Sequence, residues 1–80
     1  MTVKIYSSPM CPWCDVVKNF FESNNIPFEE IDVSQNEKAA EEIMKKTGQI
    51  GVPVIEINGQ YVIGFNKPVL EKLLGLEKGE

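Results

Sequence analysis

Apolar and polar positions alternate at the start of the chain. In Thr2-Val3-Lys4-Ile5-Tyr6, Val3 and Ile5 point one way and Thr2, Lys4 and Tyr6 the other. That period predicts a short strand over 2–6 with at least one buried face. Ser7-Ser8-Pro9 breaks it. The period then changes. Trp13, Val16, Val17, Phe20 and Phe21 recur at helical spacing and predict a helix over 12–24. Pro12 suits its first turn, Asp15 suits the positive end of its dipole, and Asn24-Asn25 followed by Pro27 stops it.

Residues 28–33 (Phe-Glu-Glu-Ile-Asp-Val) alternate in part and predict a second strand. The two strands are joined by roughly 20 residues with a helix inside, which predicts a parallel pair in a right-handed βαβ unit. Ser34 to Asn36 offers capping side chains for a helix over 37–46, with Ala40, Ile43 and Met44 on its inner face and Thr47-Gly48 as its stop. A third strand is expected over 53–57 and a fourth over 61–63. Asn58-Gly59 between them is a strong hairpin signal. Gly64 bends the chain. Asn66 then caps a last helix, with Lys67-Pro68 in its first turn and Val69, Leu70, Leu73 and Leu74 packing inward. Residues 75–80 read as a polar tail.

The expected class is therefore α/β: β-α-β-α-β-β-α, with a four-stranded mixed sheet and helices for both faces. No linker, repeat or low-complexity tract interrupts it, and one domain over 1–80 is expected.

Composition narrows the chemistry. The chain has 80 residues, eight Lys and no Arg, twelve Asp plus Glu, no His, two Cys and a net charge of -4. Without His there is no imidazole acid/base chemistry and no Ser-His-Asp arrangement. Two Cys and no His cannot close a four-ligand zinc site within one chain. An acidic chain without Arg lacks the footprint of a nucleic-acid binder. No apolar run reaches the roughly 20 residues of a membrane span, and the N-terminal apolar stretch is too short for a signal peptide. A cytoplasmic location is expected.

Both cysteines lie three apart in Cys11-Pro12-Trp13-Cys14, between the first strand and the first helix. A Cys-x-x-Cys beside a βαβ pattern reads as a thioredoxin-like redox motif. Cys11 falls at or just before the helix start, where unpaired N–H groups and the dipole stabilise a thiolate, the nucleophilic form. Cys14 lies one turn inside the helix and suits a resolving role. Pro12 stiffens the intervening loop and Trp13 can shield one side of the pair. The bland alternatives are two small core residues, or half of a zinc site shared with another chain.

Lys18 lies on the same helix face as both cysteines. It is either a support for the thiolate or an ordinary surface charge. Val52-Pro53 likewise has two readings. It is strand punctuation, or a cis peptide that turns the Val52 backbone toward an extended thiol substrate.

Tyr6 with Cys11-Pro12-Trp13-Cys14, then Thr47-Gly48-Gln49-Ile50-Gly51-Val52-Pro53, then Asn58-Gly59-Gln60 and Ile63-Gly64-Phe65-Asn66 resemble the glutaredoxins. The resemblance runs from Val3 to about Leu74. It implies a thioredoxin fold, a cis Pro53, and Cys11 as the attacking thiol. It also implies a glutathione groove formed by Trp13, Gln49, Val52, Pro53, Gly64, Phe65 and Asn66, with glutathione as co-substrate and no built-in cofactor or metal. Three departures weaken glutathione recognition. Ser8 stands where the family commonly has Lys, Gly51 where it has Thr, and Ile63-Gly64-Phe65-Asn66 where it has Gly-Gly-x-Asp. In addition, Gly64-Phe65-Asn66-Lys67-Pro68 resembles the Gly-Phe-x-Pro pattern of redoxins that serve ribonucleotide reductase and are recharged by thioredoxin reductase.

The expected function is a glutathione-linked dithiol oxidoreductase, monomeric, acting on protein disulfides or glutathione mixed disulfides. The alternatives are a redoxin recharged by thioredoxin reductase that serves ribonucleotide reductase or peroxidases, and an iron–sulfur cluster carrier. Pro12 beside Cys11 disfavours the carrier.

Overall fold

The computed structural model describes residues 2–48 and 51–76. The chain runs β1 (Val3–Ser7), α1 (Pro12–Ser23), β2 (Glu29–Asp32), α2 (Glu37–Thr47), β3 (Val54–Ile57), β4 (Gln60–Ile63) and α3 (Lys67–Leu74). The strands form one sheet in the order β2-β1-β3-β4. β1 pairs parallel with β2, with Ile5 opposite Glu30. It pairs antiparallel with β3, with Ile5 opposite Ile55. β3 and β4 form the antiparallel hairpin that Asn58-Gly59 predicts. Asn58 at φ 50° and Gly59 at φ 87° both adopt the left-handed backbone of a tight hairpin. Glycine meets that conformation without the steric penalty of a Cβ.

The alternation on β1 sorts its side chains between two cores. Val3 and Ile5, with Ile55, Ile57 and Val62, pack against Val17 and Phe21 of α1 and Leu70 and Leu74 of α3. Tyr6 and Val54 pack against Ala39 and Ile43 of α2. The sheet is therefore covered on both sides, so Tyr6, on the strand's polar side in sequence, is buried.

The helices differ from expectation in which side chains face inward. On α1 the buried positions are Cys14, Val17 and Phe21, while Trp13 and Val16 reach solvent. On α2 the inner stripe is Ala39 and Ile43, one i,i+4 pair, and Met44 is rotated outward. On α3 Leu70 and Leu74 are buried and Val69 is exposed.

The caps follow the sequence. Asn36 accepts from the Ala39 N–H at 3.0 Å, and Asn66 from the Val69 N–H at 3.4 Å. No helix among the described residues is long and apolar enough to cross a membrane. The tail beyond Leu76 lies outside the described residues. Three helices on a β2-β1-β3-β4 mixed sheet are the thioredoxin fold.

Candidate active site

β1 ends at Ser7, and a short turn delivers the chain to Cys11, the N-cap of α1. Cys11 holds an extended backbone (φ -136°, ψ 95°), and its Sγ accepts the Cys14 N–H at 3.1 Å. A sulfur atom thus fills the place that a Ser or Asp oxygen takes at other helix starts. Negative charge on that atom is favoured twice, by the donated N–H and by the aligned peptide dipoles of the helix. Cys11 and Cys14 are joined as a disulfide, with Cα atoms 5.2 Å apart. The two sulfurs differ in access. Cys14 is only 1% exposed, whereas Cys11 is half-buried. An incoming thiol or disulfide meets Cys11 first.

Beside this pair lies a cleft of about 250 Å³ lined by Trp13, Val52, Pro53, Gly64 and Phe65. The Val52-Pro53 peptide is cis, as the second of its two sequence readings expects. The Pro53 carbonyl accepts the Gly64 N–H at 2.8 Å, which ties the two loops of the cleft together. Gly64 sits at φ 75°, a backbone that disfavours side-chain-bearing residues. The Trp13 and Phe65 rings stack with centroids 6.3 Å apart. Phe65 leans edge-on against Phe20 at 5.6 Å, and Phe20 against buried Phe21 at 5.4 Å. The solvent-facing wall is thereby anchored to the core. The cleft's described lining carries no charged side chain. Asn66 stands next in the chain, at the start of α3. Gln49 lies outside the described residues.

Lys18 is committed elsewhere than to a cysteine. Its Nζ lies 2.9 Å from Glu30 Oε2 and 3.5 Å from Asp15 Oδ1. The buried Ser7 hydroxyl donates to the same Glu30 oxygen at 2.9 Å. The Lys18 ammonium and the Ser7 hydroxyl together hold the Glu30 carboxyl below its ordinary range, and Glu30 holds Lys18 above its own. Two carboxylates on one ammonium leave little positive charge to act on the thiolate. The Ser7–Glu30 contact is absent from the sequence reading because 23 positions separate the two residues and no spacing rule links them.

The lowered pKa of Glu30 means that folding favours its ionised form. The stability it contributes is complete above the unfolded value near 4.5 and is lost as pH falls through the lower folded value. Lys18 stays charged throughout that window. The pair is partly exposed, so Glu30→Gln is expected to cost under about 1 kcal/mol at pH 7. Urea unfolding of both proteins checks this: the gap between their midpoints narrows as pH falls below the unfolded value near 4.5.

A second hollow, of about 320 Å³, borders the pair on the Pro9-Met10 side and is lined by Pro9, Met10, Cys11, Pro12 and Asp15. Met10 escaped the sequence reading and Pro9 read only as a strand breaker, since a turn carries no periodicity. Among the described residues no cluster of three or more His, Cys, Asp or Glu side chains could hold a metal ion.

Comparison with known proteins agrees with this geometry. The Glutaredoxin family model matches residues 3–62. The chain is 44% identical over 72 residues to an uncharacterized glutaredoxin-like 8.6 kDa protein in the rubredoxin operon of Clostridium pasteurianum, covering 90% of this chain and 96% of that one. It is 34% identical over 62 residues to Glutaredoxin 3 of Escherichia coli (strain K12), covering 78% of this chain and 75% of the relative. Among solved structures, the NrdH-redoxin of Escherichia coli, a glutaredoxin-like protein described as having a thioredoxin-like activity profile, superimposes with a TM-score of 0.78 at 25% identity over the whole of both chains. With a family match over most of its length, and a redox pair set at a helix start, the chain belongs to the glutaredoxin family and is a thiol–disulfide oxidoreductase.

Proposed function

We propose that the protein is a glutathione-linked dithiol oxidoreductase, working as a cytoplasmic monomer of one domain, with Cys11 as attacking and Cys14 as resolving thiol. The observation that carries this reading is the pairing of an accessible sulfur at the N-cap of α1 with a buried one a single turn away. The Cys11 thiolate attacks one sulfur of a substrate disulfide. A Cys11–substrate disulfide forms, and the other substrate sulfur leaves as a thiolate that takes a proton from water. Cys14, having lost its proton, then attacks Cys11 Sγ. The Cys11–Cys14 disulfide closes and the second substrate thiol leaves. The substrate gains two electrons and the pair loses two. Two glutathione thiols return them and leave as glutathione disulfide. The cleft of Trp13, Val52, Pro53, Gly64 and Phe65, with Asn66 next in the chain, is the proposed glutathione site, and Gln49 is assigned to it from the family resemblance alone. Lys18 and Pro12 hold α1 and its first turn in place.

A second reading is favoured by a specific observation. The described lining of the cleft is uncharged, whereas glutathione carries two carboxylates. Ser8 and the Gly64-to-Pro68 segment point the same way, as does the likeness to NrdH-redoxin. On this reading a thioredoxin reductase recharges the pair.

A donor-swap assay separates the two. With glutathione and its reductase, turnover is expected to exceed that with a thioredoxin reductase. It should also rise almost linearly with glutathione, because few charges hold the tripeptide. Turnover with thioredoxin reductase alone would assign the second reading.

A further inference from the structure

We infer that the hollow of Pro9, Met10, Pro12 and Asp15 beside Cys11 is a second substrate subsite, which receives an apolar side chain of a polypeptide disulfide. The inference rests on the exchange reading above and adds to it the part of the substrate that the enzyme reads.

Met10 is 91% exposed, more than any other large apolar side chain among the described residues. Single exposed apolar residues are common and need no explanation. The surroundings of this one set it apart. Its hollow, of about 320 Å³, counts Cys11 itself among its lining residues. Pro9 and Pro12 flank it. Prolines have fixed φ and no N–H, so the rim is stiff and apolar. Methionine is unbranched and polarisable, and adapts to apolar groups of different shape. Asp15, 72% exposed on the rim, gives the hollow a negative edge. Acidic groups are therefore disfavoured there, including both ends of glutathione.

The occupant that fits is an extended peptide. Alternate side chains of an extended chain point to the same face, and the backbone rises about 3.3 Å per residue. A side chain two positions from the attacked cysteine thus faces the enzyme about 6–7 Å from that sulfur. Trp13, between the two cysteines in sequence, lines the first cleft, and Met10, next to Cys11, lines the second hollow. A polypeptide is long enough to reach both. The chemistry is the same exchange: Cys11 Sγ bonds the peptide sulfur, the partner thiolate leaves, and Cys14 then releases the peptide thiol.

The test uses symmetric disulfides of the peptide Ala-X-Ala-Cys-Ala-X-Ala, with X as Leu, Gly or Glu, and the wild-type protein. Because the disulfide is symmetric, attack on either sulfur places the peptide on Cys11. The expected order of kcat/KM is Leu, then Gly, then Glu, with Leu about tenfold above Gly. In Met10→Ser the Leu-to-Gly ratio is expected to fall about fivefold. Met44→Ser, at an exposed methionine on α2, should keep the wild-type ratio. Taking the ratio within each protein cancels any effect on the cysteine chemistry. Equal kcat/KM for Leu and Gly in the wild type overturns the inference. So does an unchanged ratio in Met10→Ser. A wild type that reduces neither the peptides nor bis(2-hydroxyethyl) disulfide overturns the exchange reading, and this inference with it. Reduction of the small disulfide with no discrimination among peptides overturns this inference alone.

Discussion

Cys11→Ser is expected to lower disulfide reductase activity by about a thousandfold or more, to the background of the assay. The N-cap position explains why no other residue can substitute. The hydroxyl that replaces the thiol can still accept the residue-14 N–H and cap α1, so the fold survives. It does not ionise near neutral pH, so the helix dipole has no anion to stabilise. Cys14 remains, but at 1% exposure it cannot be reached by a substrate. Full activity in Cys11→Ser would refute the assignment. The complementary variant, Cys14→Ser, keeps the nucleophile and loses the resolving step. A mixed disulfide on Cys11 is then expected to accumulate, and mass spectrometry before and after reduction would read it directly.

The largest expected effect on stability is Phe21→Ala. Phe21, on α1, is fully buried against the sheet and α3, with Phe20 edge-on at 5.4 Å and Phe28 at 5.9 Å. Truncation removes the ring's transfer free energy and leaves a cavity, a combined cost of about 3–5 kcal/mol. A chain this long is stable by only about 4–12 kcal/mol. The thermal midpoint should therefore fall by roughly 12–40 °C. Phe21→Leu, which refills most of the space, should fall by less than half as much. If both variants unfold at the wild-type midpoint, the ring carries no core packing. The loss also extends to the cleft, because Phe20 transmits the support of Phe21 to Phe65.

The parts of the molecule legible in sequence are those set by neighbours along the chain. Asn58-Gly59 specifies its own turn, Asn36 and Asn66 cap the helices they precede, and Cys11-Pro12-Trp13-Cys14 carries both sulfurs and the helix start that activates one of them. The ends of the strands and helices lie within a residue or so of those read from the pattern. What stays illegible is set by contacts between distant segments. Trp13 reads as part of an apolar stripe, yet its partner is Phe65, from the other end of the chain. Lys18 reads as a neighbour of the cysteines, yet Glu30 on β2 takes its charge. The cis state of Pro53 is not fixed by position. It stood as one of two readings of Val52-Pro53 until the family resemblance favoured it. Met10, in a turn without period, gave no signal.

The burial of Cys14 beneath Cys11 also bears on survival under peroxide. An accessible thiolate at a helix start is prone to oxidation, first to sulfenic acid and then irreversibly to sulfinic and sulfonic acids. Here the sulfenic acid would form within one helical turn of a second thiol that solvent oxidants scarcely reach. Condensation with Cys14 expels water and closes the same disulfide that ordinary turnover produces. Oxidative damage is thereby diverted into a normal intermediate, which the next pair of electrons restores.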